Sequence, residues 1–117
     1  MSHKTKINEH EKPIAPLQFL FLMIIYQRAD YISVKEILQT IHAHLPEYEP
    51  STGAIYNTLK ELTERGLVEK EQIQKDDERI KHYRITNKGE KKLREIYLKR
   101  RRFLRFMEKC CAHHMKK

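Results

Sequence analysis

Apolar residues return every three or four positions in several stretches of this chain, and in one stretch they alternate every second position. The first helical stretch opens at Pro16, a residue suited to a first turn, and runs to about Arg28. Leu17, Leu20, Phe21, Ile24 and Ile25 make one stripe, while Phe19, Leu22, Met23 and Tyr26 occupy the other faces. A helix apolar nearly all round needs cover on several sides, which predicts help from a second subunit. Ser33 and Glu36 form a capping box that opens a second helix. Its buried stripe is Val34, Ile37, Leu38, Ile41 and Leu45, and Pro46 prevents continuation. A third helix starts around Ser51, turns Ile55, Leu59 and Leu62 inward and ends at Gly66.

"LVEKEQIQ" and "IKHYRI" then flank the polar turn "KDDER", which predicts a hairpin. Thr86 caps a fourth helix, along which Leu93, Ile96, Tyr97, Phe103, Leu104 and Met107 recur in a near-heptad pattern. If continuous to the end, that helix spans about 40 Å, too long to pack wholly on its own small domain. The expected fold is therefore mainly α with a small β-hairpin, an α+β winged helix-turn-helix followed by a long C-terminal dimerisation helix. Residues 1–12 form an N-terminal arm without periodicity, 13–86 the winged helix-turn-helix, and 87–117 the dimerisation helix with a basic tail.

In a winged helix-turn-helix the third helix enters the major groove and the hairpin lies along the backbone or minor groove. Ser51, Thr52 and Gly53 let the helix N-terminus come close to a phosphate, which its free amides and dipole attract. Tyr56, Asn57 and Lys60 stay off the apolar stripe, and Asn57 and Lys60 suit adenine and guanine edges. By itself such a face is an ordinary solvated surface; the hairpin and the basic balance turn it into a groove-binding candidate.

The composition changes this picture in one respect. The 117 residues carry 24 Lys and Arg against 16 Asp and Glu, a net charge of +8 that favours an anionic partner. Residues 51–66 and 67–86 each sum to zero, whereas 87–117 hold twelve basic against three acidic side chains, or +9. The last helix alone accounts for the excess. At the wing tip Asp76, Asp77 and Glu78 repel phosphates, which leaves the flanking Lys75, Arg79 and Lys81 as candidate contacts. The run "LKRRRFLRF" reads as a solvated face of the dimerisation helix, as a steering or contact surface for DNA, or as an anchor for a membrane or acidic protein.

Nothing in the sequence resembles a signal peptide or a membrane span, so a cytoplasmic location without membrane attachment is expected. Adjacent Cys110 and Cys111 close no useful loop, which excludes a disulfide framework. With His113 and His114 they lack the spaced pairs of a zinc site, so no metal or other cofactor is expected. No nucleophile with a base, phosphate loop or catalytic carboxylate pair stands out, and an enzyme is the weakest reading.

"STGAIYNTLKELTERGLVEK" followed by "HYRITNKGEKKL" resembles the PadR family of bacterial transcriptional regulators, over about residues 17–97. The resemblance is most specific at the small-residue start before Ile55 and Tyr56, at "LKELTERGL", and at the Tyr-Arg-Ile-Thr segment that leads to Gly89. "RADYISVKE" stands where many such proteins have a His-Gly-Tyr segment. The resemblance implies a homodimeric winged-helix repressor on a pseudo-palindromic duplex, with Ser51, Thr52, Tyr56, Asn57 and Lys60 on DNA. It implies a dimer made by the last helix with help from the first, which assigns Leu20 and Ile24 to the seam with the fourth-helix stripe. It also implies a small aromatic effector between the dimer helices, where Tyr26, Phe103 and Phe106 would line the space. The reading from another class is a winged-helix assembly module whose basic C-terminal helix grips an acidic partner.

Overall fold

In the computed structural model, which describes residues 13–76 and 78–112, helix formation begins where proline permits it. Helix α1 spans Pro16–Arg28, and the backbone N–H of Ala15 ahead of it donates to Gln18 Oε1 at 3.2 Å. It ends at Ala29, whose φ of 62° is left-handed. A two-residue strand, β1 (Ile32–Ser33), leads into helix α2 (Val34–His44). The Ser33 hydroxyl accepts from the Glu36 N–H at 3.2 Å, and the Glu36 carboxylate accepts from the Ser33 N–H at 3.2 Å, completing the capping box. Helix α3 spans Thr52–Glu64; the Ser51 hydroxyl accepts from the Ala54 N–H at 3.1 Å, and Gly66 takes the left-handed φ of 73° beyond its end. Strands β2 (Val68–Lys75) and β3 (Glu78–Ile85) follow, then the 24-residue helix α4 (Asn87–Cys110), capped by Thr86.

The three strands form one antiparallel sheet in the order β1-β3-β2, with Val68 opposite Ile85, Lys70 opposite Tyr83 and Ile32 opposite Tyr83 on the other side. Against the sheet, Phe21, Leu22, Ile24 and Ile25 of α1 meet Ile37 and Ile41 of α2, Ile55, Leu59 and Leu62 of α3, and Leu93 of α4. Of the hairpin strands, Val68 and Tyr83 join this core and Ile85 packs against it; the outer half does not, and Ile73, opposite Ile80, is exposed.

Two expectations need correction. The hairpin strands continue to Lys75 and Glu78, so the turn is shorter than "KDDER", and both Lys75 and Arg79 belong to strands. Backbone pairing, which requires no apolar side chain, carries the ladder past the end of the core. Leu45 lies past α2 and is exposed, because the chain leaves the helix there, one residue before Pro46. Met23 and Tyr26 are exposed within their own chain, so α1 is covered on one broad side and open on the other. The expected N-terminal arm, residues 1–12, lies outside the described residues.

Charge also enters the core. Arg65, at the end of α3, is buried, and its guanidinium donates to the Pro13 carbonyl at 3.1 Å and to Gln18 Oε1 at 3.4 Å. The end of α3 is thereby fastened to the start of α1. From the other side, Lys88 Nζ donates to the Arg65 carbonyl at 2.9 Å and the Thr86 hydroxyl to the Gly66 carbonyl at 2.6 Å. These bonds fix the angle of α3 against its neighbours.

Glu36 links the capping box to α1 through an ion pair with Arg28 at 2.5 Å. The Ser33 N–H, with the Arg28 guanidinium, holds its carboxyl below the usual carboxylate range. A depressed folded-state value means that Glu36 adds stability above the ordinary carboxylate range and loses it as pH falls through the folded value. Glu36→Gln is expected to melt lower at neutral pH and to show a shallower fall in Tm on acidification. Thermal melts across acid pH check this.

Candidate nucleic-acid interface

The helical repeat divides α3 into two faces. Ile55, Thr58, Leu59 and Leu62 are buried, while Thr52, Gly53, Tyr56, Asn57 and Lys60 share the opposite, exposed side. Ser51, also exposed, heads that side, so all six candidates on this segment lie together. Tyr56 is 52% exposed. Asn57 Nδ2 donates to Glu61 Oε1 at 2.9 Å, which holds the amide on the surface of the helix. Thr58, which sequence reasoning left unassigned, turns inward and its hydroxyl donates to the Ala54 carbonyl at 2.6 Å.

The hairpin's charge balance of zero conceals a segregation that strand alternation produces. Val68, Lys70, Gln72 and Gln74 of β2 lie directly opposite Ile85, Tyr83, Lys81 and Arg79 of β3, so these eight residues share one face. That face holds Lys70, Arg79 and Lys81 and no acid. Glu69, Glu71 and Arg84 alternate to the other face, where Arg84 pairs with Glu69 and lies 4.7 Å from the centre of the Tyr31 ring. Val68 and Tyr83 of this face are buried in the core together with Ile55, Leu59 and Leu62 of α3, so the basic residues extend the core-facing side of the sheet outward. Burial raises the pKa of the Tyr83 hydroxyl, and Tyr56 raises it further.

Lys70 is the residue that sequence reasoning missed. The signal was available in its register opposite Tyr83, once the hairpin's turn is centred on residues 76 and 77. Arg79 and Lys81 are exposed on the same face; Lys75, opposite Glu78, alternates to the face of Glu69 and Glu71.

The candidate seam residues divide in a different way. Ile24 and Leu93 are buried within their own chain, and Leu20 and Ile96 pack half-buried against its core. Tyr97, Phe103, Leu104 and Met107 are exposed. Between α1 and α4 runs a groove of about 440 Å³ lined by Phe19, Met23, Tyr26, Leu93, Tyr97 and Leu98, with the charged Glu90 and Arg94. Tyr26 lines it; Phe103 and Phe106 lie further along α4. Cys110 is exposed and Cys111 half-buried, both as free thiols; His113 and His114 lie outside the described residues. Among the described residues no helix is long and apolar enough to cross a membrane.

Residues 22–95 match the family model described as the transcriptional regulator PadR-like family. No curated protein sequence matches the chain. Among solved structures, a PadR-like transcription factor from Bacteroides fragilis superposes with a TM-score of 0.70 at 18% identity, over 80% of this chain and 88% of that one. A PadR family transcription regulator from Clostridium difficile R20291 gives 0.68 at 21% identity, over 84% and 99%. Bacillus subtilis PadR in complex with operator DNA gives 0.62 at 24% identity, over 73% of this chain and 48% of that one.

Proposed function

The chain belongs to the PadR-like family of transcriptional regulators, and from that premise we propose that it is a homodimeric, sequence-specific repressor of transcription. The observation that carries this reading is the shared exposure of Ser51, Thr52, Gly53, Tyr56, Asn57 and Lys60 beside the acid-free hairpin face of Lys70, Arg79 and Lys81. One surface thus offers base-reading side chains and, next to them, cations for the phosphates that flank a groove. A structural relative solved on its operator DNA supports the same use of this fold. Exposed Tyr97, Phe103, Leu104 and Met107 supply the seam with a second copy, and repression follows from occupying the duplex. The groove beside Tyr26 and Tyr97 is the place for a small aromatic effector, next to that seam. Lys75, opposite Glu78 and in phase with Glu69 and Glu71, is not part of this surface.

Selection of bound duplexes from a random library, combined with sedimentation, tests the whole reading. The expected result is an enriched two-fold symmetric sequence with half-sites about one helical turn apart, bound by a species of twice the chain's mass. A folded monomer that enriches no sequence would overturn it.

Gly53 gives a sharper local test. A Cβ built there meets nothing within 4 Å, so the chain's own packing does not require glycine in the first turn of α3. Gly53→Ala is therefore expected to stabilise the fold by about 0.5 kcal/mol while it weakens operator binding, because the methyl stands where a phosphate would approach the amides. Melting and gel-shift titration of the same sample read both effects; tighter or equal binding would argue against close approach at this turn.

A further inference from the structure

Helix α4 carries a second charged surface that the reading head does not use. At 100° per residue, Lys91, Arg94, Arg101, Arg102, Arg105 and Lys109 fall on one side, with Leu98 as the apolar residue among them. Leu93, Ile96, Phe103, Leu104 and Met107 fall on the opposite side. All six cations are exposed and none forms an ion pair with another described residue. The stripe extends about 27 Å. Like charges four positions apart, such as Arg101 with Arg105 and Arg105 with Lys109, destabilise a helix.

We propose that this stripe binds the sugar-phosphate backbone of duplex DNA outside the half-site held by α3, without regard to sequence. The proposal rests on the DNA-binding reading above. The seam selects DNA backbone over an anionic membrane. A membrane-surface helix carries its cations on one side and buries the opposite, apolar side in lipid, and in α4 that opposite side is the one the proposed contact with a second copy occupies. The apolar residues face the other way, where the seam needs them. Position separates the stripe from the end of α3 that approaches the groove. Lys88, in the first turn of α4, contacts the Arg65 carbonyl at the C-terminal end of α3, the end opposite Ser51. The stripe therefore starts about 20 Å along α3 from the amides that approach the groove.

The test is the salt dependence of binding to a mixed-sequence duplex of about 40 base pairs, measured by fluorescence anisotropy from about 50 to about 200 mM salt. The triple variant Arg101→Gln, Arg102→Gln, Arg105→Gln is compared with the parent and with Arg101→Lys, Arg102→Lys, Arg105→Lys. Each lost phosphate contact lowers the slope of log affinity against log salt by about 0.9, so the glutamine variant is expected to lose about 2 to 3 from the slope for each bound subunit, or about 5 for the dimer. The lysine variant should retain the parent slope, and the glutamine variant should keep its preference for the selected operator. These residues are exposed, and a matching circular dichroism melt establishes that the variants fold. An unchanged slope in the glutamine variant overturns the proposal and leaves the operator reading intact. A parent that binds no duplex overturns both. An unchanged slope with loss of binding to phosphatidylserine vesicles reassigns the stripe to a membrane surface, which also overturns it.

Discussion

Gly89→Ala is expected to be the most damaging single substitution in the protein. A Cβ at this position would lie 2.0 Å from the Leu67 carbonyl oxygen, 2.9 Å from its carbonyl carbon and 2.7 Å from Ile85 Cγ1. Backbone cannot rotate away as a side chain can. The Leu67 carbonyl also accepts from the Thr86 N–H at 3.0 Å, so moving it breaks the bond that joins the start of β2 to the start of α4. The same junction holds the Lys88 and Thr86 contacts to the end of α3. A methyl group here must either spread the junction or displace α4, at a cost of about 3 kcal/mol or more. In a domain of this size that lowers Tm by about 10 °C or more. A melt within about 2 °C of the parent would show that the junction yields more easily than its geometry implies.

The second large effect concerns recognition and leaves stability alone. Asn57 and Lys60 are exposed and contribute no core packing, so Asn57→Ala with Lys60→Ala is expected to melt like the parent. A good bidentate base contact discriminates by about 1 to 3 kcal/mol, so losing both should reduce preference for the selected operator by on the order of 100-fold or more. Affinity for unrelated duplexes should fall far less. In the free protein Asn57 donates to Glu61, so DNA binding exchanges that hydrogen bond for one to a base. Competition titrations with operator and scrambled duplexes check the ratio; an unchanged ratio would remove these two residues from base reading.

What the sequence disclosed follows from how local each feature is. The caps at Ser33, Ser51 and Thr86 are bonds between residues three apart, and their signatures are complete within a few positions. The left-handed Gly66 and the inward stripe of α3 are equally local. Strand β1 was invisible because its two residues pair with Tyr83 and His82, some fifty positions away, and carry no alternation of their own. Arg65 reads as one more surface cation until α1 is placed over it. Gly89 reads as a weak point in a helix, and its necessity comes from Leu67 on another element. The hairpin shows the same limit for charge. Counting along the chain gives zero, yet pairing sorts Lys70, Arg79 and Lys81 to one face and Glu69 and Glu71 to the other. Net charge is a property of the sequence; the field that a partner meets depends on register.

The central claim is that the exposed side of α3 lies in the major groove of duplex DNA. Interference by 7-deaza-adenine and 7-deaza-guanine tests it most directly, because the missing N7 is an acceptor displayed only in that groove. Substitution along the selected operator should weaken binding at two symmetric clusters about one helical turn apart, with the effect reduced in the Asn57→Ala, Lys60→Ala protein. Full binding to an operator lacking every purine N7 would contradict the account.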